Sequence, residues 1–182
     1  MIKNYLDFLS EKKEETHKNR FGCVMIYLDI PKWNNIISNI DKNDLYEPKG
    51  DDTYGIEMNP HVTVLYGIHS NIPDQKITSI IDKYKYKDFN FGIKELGSFK
   101  NENFDVLKFT IDPDDILLDF NRELSELPNS NEFPDYSPHI TISYLNPGLS
   151  EKYNFIEIPE FKIKSIIYSK SNGQELIYDT YA

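Results

Sequence analysis

The stretch Pro60-His61-Val62-Thr63-Val64-Leu65-Tyr66 recurs 78 residues later as Pro138-His139-Ile140-Thr141-Ile142-Ser143-Tyr144. Val, Ile, Thr and Tyr favour the pleated backbone, and a leading proline suits a strand entrance rather than its interior. Each copy therefore predicts a β-strand. Side chains alternate between faces along a strand, so His61, Thr63 and Leu65 are expected on one face and Val62, Val64 and Tyr66 on the other. In the second copy His139, Thr141, Ser143 and Leu145 share a face, opposed by Ile140, Ile142 and Tyr144. Each strand then offers an apolar face to pack under a helix and a face bearing an imidazole beside a hydroxyl. Tyr66 and Tyr144 are expected to be packing residues on the apolar side.

The chain around these copies repeats a pattern. Phe21–Ile30 reads as a strand, and Trp33, Ile36, Ile37 and Ile40 as a helix stripe capped by Asp29 with Pro31 in its first turn. An irregular segment, 41–59, leads into the first His strand and has the length of a lid or binding loop. A helix follows around Pro73–Tyr84, then strands at 89–99 and 104–111. Asp112 is the expected cap of a helix carrying Ile116, Leu117, Phe120, Leu124 and Leu127. A second irregular segment, 128–138, leads into the second His strand. Strands at 161–169 and 175–181 close the chain around Ser171-Asn172-Gly173. Residues 3–16 have helical periodicity and make residues 1–20 an N-terminal helical extension to a single domain over 21–182. His17 and His69 read as surface residues. The fold class is α+β, pseudo-symmetric and two-lobed, with a central cleft.

Composition limits the partners. The net charge is −10 over 182 residues, whereas a protein tracking long nucleic acid carries a basic footprint. A small anionic ligand held by a local pocket fits better. The only cysteine, Cys23, excludes a disulfide framework or a cysteine zinc site and reads as a small buried apolar residue. No apolar run approaches a membrane span and no signal peptide opens the chain, so the reading is cytoplasmic, without membrane contact.

Two facing His-x-Thr strands place two imidazoles on either side of one substrate. Histidine titrates near neutrality, so one ring can act as general base and the other as general acid. Threonine hydroxyls can donate to the free oxygens of a phosphodiester. No cofactor is required. Two histidines plus an acid could instead hold zinc or iron, but a hydroxyl two residues after each His is not a metal signature.

The twin His-x-Thr strands resemble the 2H phosphoesterase superfamily, which includes LigT-like 2′,5′-RNA ligases and cyclic phosphodiesterases. The resemblance covers the chain from about Phe21 onward. It implies a bilobal fold whose antiparallel sheets form a concave cleft with helices outside. It also implies that His61 and His139 are the acid–base pair and that Thr63 and Thr141 bind phosphate. The stretch from Gly55 to Gly67 is similar to phage members, among them anti-CBASS proteins that degrade cyclic oligonucleotide signals. For a phage-encoded chain this means action in the host cytoplasm. The reading is a metal-independent phosphodiesterase, with a cyclic oligonucleotide as the favoured substrate. Processing of RNA 2′,3′-cyclic phosphates or 2′–5′ linkages, and a nucleotide sponge without turnover, are the alternatives. Lys49, Tyr54, Phe133, Tyr136 and Ser143 are candidate substrate contacts. Which histidine is the base is left open by two near-equivalent copies.

Overall fold

A computed structural model describes residues 21–51, 53–131 and 135–180. The helix expected at 3–16, His17 and Phe133 lie outside them. Among the described residues seven strands form one antiparallel sheet: β1 (Phe21–Asp29), β2 (His61–His69), β3 (Gly92–Lys100), β4 (Asp105–Asp112), β5 (His139–Leu145), β6 (Lys162–Ser169) and β7 (Glu175–Asp179). Their spatial order is β3-β4-β5-β2-β1-β6-β7. Among the described residues three α-helices accompany them: α1 (Trp33–Ser38), α2 (Asp74–Tyr84) and α3 (Asp115–Ser125). No helix among the described residues is long and apolar enough to cross a membrane.

The order places the two His strands side by side at the centre. Each is the inner strand of one half, β3-β4-β5 or β2-β1-β6-β7. The halves meet through a single register pair, Val62 opposite Ile140. Beyond that pair the irregular segments take over. On β5, the Tyr144 amide donates to Gly55 O at 2.7 Å and the Glu57 amide to Ile142 O at 3.0 Å, while the Tyr46 amide donates to Tyr144 O at 3.0 Å. On β2, the Ser130 amide donates to Gly67 O at 2.9 Å, the His69 amide to Pro128 O at 3.1 Å, and the Tyr136 hydroxyl to Thr63 O at 2.9 Å. The segment before each His strand therefore binds the other His strand. Backbone groups that would otherwise be orphaned at the seam are satisfied reciprocally.

One face of the sheet is buried against the helices. Val24, Ile26, Val62, Ile140, Ile142 and Ile166 are fully buried there beside Ile77 and Ile81 of α2 and Leu117, Phe120 and Leu124 of α3. Each such side chain contributes about 1.5–3 kcal/mol on leaving water. Two expected caps move. Asp29 ends β1, and α1 begins after Lys32 without a side-chain cap. Asp112 ends β4, and Asp114 caps α3 because its carboxylate accepts the Leu117 amide at 2.8 Å. His69 is the last residue of β2 rather than a loop residue, and its Nε2 meets Ser130 Oγ at 2.9 Å. Cys23 is half-buried, not buried.

Candidate active site

Both imidazoles are oriented by the same local device. His61 Nδ1 lies 2.8 Å from Asn59 O, and His139 Nδ1 lies 2.9 Å from Ser137 O. A carbonyl only accepts, so Nδ1 carries the proton in the neutral ring and Nε2 keeps its lone pair. The prolines between carbonyl and ring are pinned from the neighbouring strands: Leu28 N donates to Pro60 O at 2.9 Å and Ile111 N to Pro138 O at 3.0 Å. Tyr27 of β1 stacks on His61 with centroids 5.6 Å apart, and Phe99 of β3 meets His139 edge-on at 5.1 Å.

The register brings the four motif residues together. Because Val62 faces Ile140 in an antiparallel pair, one step either way sets His61 opposite Thr141 and Thr63 opposite His139. Paired residues share a face, so all four point to the side away from Val62 and Ile140. Directly opposite side chains lie about 5 Å apart at Cβ and diagonal ones about 7–8 Å. The two imidazoles occupy a diagonal of this quadrilateral, a spacing that fits one phosphate group between them.

The two halves are not electrically alike. His139 has its pKa pushed down to about 4, first by burial, with the nearby charges of Lys108 and His61 adding to the effect and the Ser137 carbonyl opposing it. Its neutral form is therefore favoured at neutral pH. Lys108 of β4 faces Thr141 in register and is only 6% exposed. Burial lowers its pKa, against the opposing charge of Glu95. Its Nζ donates to Thr110 Oγ1 at 2.6 Å and sits 4.4 Å from the Phe99 ring centroid. The sequence reading missed Lys108. The available signal was one charge inside the apolar run Val106-Leu107-Lys108-Phe109 of a strand.

A bulge in each His strand revises the expected faces. In β2, Val24 faces Leu65 while Met25 faces Thr63, and in β5, Leu107 faces Ser143 while Lys108 faces Thr141. The extra residue that follows the threonine in each strand inverts the alternation there, and β2 has a second such shift at Gly67. The burial patterns of the two copies are identical over seven residues. Tyr66 and Tyr144 consequently lie on the face of the histidines, Tyr66 opposite Cys23 and Tyr144 opposite Val106. Leu65, Ser143 and Leu145 turn to the helix side. Ser143 is fully buried, and its hydroxyl has no hydrogen-bond partner among the described residues.

The remaining candidates are spread around the site. Tyr54 packs in an aromatic cluster with Tyr46, Phe104 and Tyr144, at centroid distances of 5.1–5.3 Å. Tyr136 is engaged with Thr63 O across the seam. Lys49 is exposed on a turn of the first irregular segment. Among the described residues no group of three or more His, Cys, Asp or Glu side chains could hold a metal ion.

The chain is similar to several solved structures. Usb1 of Kluyveromyces marxianus superposes with a TM-score of 0.53 at 6% identity, covering 89% of this chain and 99% of that one. The same protein with uridine monophosphate gives 0.55 at 9% identity, covering 88% and 98%. E. coli LigT complexed with NADP+ gives 0.46 at 16% identity over 91% and 96%. The likeness to Usb1 establishes the fold alone, an α+β fold built on one antiparallel sheet. No family model matches the chain, and no curated protein sequence matches it.

Proposed function

We propose that the protein is a 2H-type phosphodiesterase that cleaves a nucleotide phosphodiester without a metal. The observation that carries this reading is the seam register, which aims both His-x-Thr pairs at one face. One imidazole removes the proton from the attacking oxygen, either an adjacent ribose hydroxyl or water. The other protonates the oxygen that leaves. Thr63 and Thr141 donate to the two non-bridging oxygens, whose charge changes in the transition state. Burial favours the neutral, proton-accepting form of His139, which suits it to the base role in this scheme. Uridine monophosphate in the Usb1 structure supports a nucleotide as the ligand class. The net charge of −10 favours a compact cyclic oligonucleotide over long RNA.

The test is to incubate the protein with a panel of cyclic di- and trinucleotides and with oligoribonucleotides ending in a 2′,3′-cyclic phosphate. Products are resolved by chromatography, with EDTA present and absent. Cleavage of cyclic oligonucleotides that is lost in His61→Ala and in His139→Ala supports the reading. Cleavage of RNA ends alone moves the substrate to RNA processing. Ligand bound and recovered intact makes the protein a sponge and removes the enzyme.

A further inference from the structure

We infer that Lys108 is the cationic member of the phosphate cradle, binding the substrate phosphate together with Thr141. A buried ammonium is costly unless paired, yet among the described residues Lys108 makes no ion pair. Its one hydrogen-bond acceptor is the neutral Thr110 hydroxyl, so two of its three N–H donors remain for a ligand. Thr110 faces His139 and Lys108 faces Thr141, which puts the ammonium beside one His-x-Thr pair. Gly97 lies opposite Lys108, and a Cβ there would make only ordinary contact with Nζ, at 3.8 Å. The Phe99 ring lies against Lys108 Nζ and meets His139 edge-on, shielding one side of the charge. Among the described residues, no cation faces the other His-x-Thr pair from β1. The residue facing Thr63 is Met25 and the residue facing His61 is Tyr27. Anionic charge is therefore drawn to the Thr141 side, and the uncharged part of a nucleotide to the Tyr27 side.

The inference borrows from the phosphodiesterase reading only the origin of the phosphate, and its test needs no turnover. Inorganic phosphate is titrated into the wild-type protein, Lys108→Met and Lys108→Arg, following the His139 and His61 ring resonances. Phosphate binding is expected to weaken at least tenfold in Lys108→Met and to return to within about threefold of wild type in Lys108→Arg, with the melting temperature of Lys108→Met unchanged or raised. A structural prop would instead lower the melting temperature and leave the phosphate affinity of the folded protein intact. Equal affinity in wild type and Lys108→Met overturns the inference, as does a wild-type protein that binds no phosphate at tens of millimolar. Phosphate binding through Lys108 in a protein that cleaves no nucleotide would sink the enzyme reading and leave this one standing.

Discussion

Val62 and Ile140, both fully buried, form the one register pair through which the two His strands meet. Their backbone alignment sets each histidine opposite the other motif's threonine. Ile140→Ala opens a cavity under that seam and is expected to cost about 2–5 kcal/mol. Turnover per folded molecule is expected to fall at least tenfold, since small misplacements of reacting groups are expensive. Ile81→Ala, an equally buried truncation in α2, should cost similar stability and spare turnover. Urea denaturation combined with rates under native conditions separates the two. Equal turnover losses in both variants would mean that the seam does not position the site.

The threonines are expected to act on the transition state more than on binding. Thr63→Val and Thr141→Val keep the shape and remove the donor. Each should lower kcat by about 10²–10³ with little change in KM, the size seen for a lost oxyanion donor. Loss of either histidine should cost about 10²–10⁴ or more. Steady-state kinetics on the best substrate of the panel gives both numbers. A pure KM effect at Thr63 and Thr141 would assign them to ground-state binding.

The reciprocal pairing of the irregular segments is open to test at Gly67 and Tyr136. Gly67 has φ of 91°, and a Cβ there would lie 3.1 Å from Asn131 N and 3.2 Å from Ser130 C. Gly67→Ala should therefore cost at least about 1–2 kcal/mol from the left-handed conformation, and more as the 128–131 backbone is pushed off β2. Tyr136→Phe removes the donor to Thr63 O and should cost about 1 kcal/mol. Thermal unfolding measures both, and hydrogen exchange at the Ser130 amide shows whether the segment has come loose from β2.

Much of this arrangement was legible in the chain because strand periodicity is a local property. The His strands, α2, the terminal hairpin and its Gly173 turn follow from apolar spacing and turn residues. The bulges do not, because an extra residue in a strand has no signature of its own, whether the buried pair is apolar, as in Val64-Leu65, or carries a small hydroxyl, as in Ile142-Ser143. The two tyrosines were consequently assigned to the wrong face. Lys108 left only a faint mark, one charge inside an apolar run, for another reason. A lone lysine in a strand normally reaches solvent, and only the register against Thr141 and the Phe99 lid show that this one does not. Tyr136 was a candidate for substrate contact by its position in the segment, while its hydroxyl is engaged with a carbonyl of the opposite strand.

The depressed proton affinity of His139 makes a prediction about acid. In the folded protein its pKa is about 4, below the ordinary value near 6.5. Between those values the unfolded chain binds a proton at this position and the folded chain does not, so stability rises with pH across the window and is lost as pH falls through it. His139→Gln removes the group from both states. The urea midpoint of the variant should therefore fall less than that of wild type between pH 7 and pH 4.5. The His139 ring in the free protein should stay neutral well below pH 6 by NMR titration. A bound phosphate supplies a negative charge beside both Lys108 and His139 and should raise that titration. Identical pH dependence of stability in wild type and variant, or a ring titrating at its ordinary pKa, would leave His139 without a distinct claim to the base role.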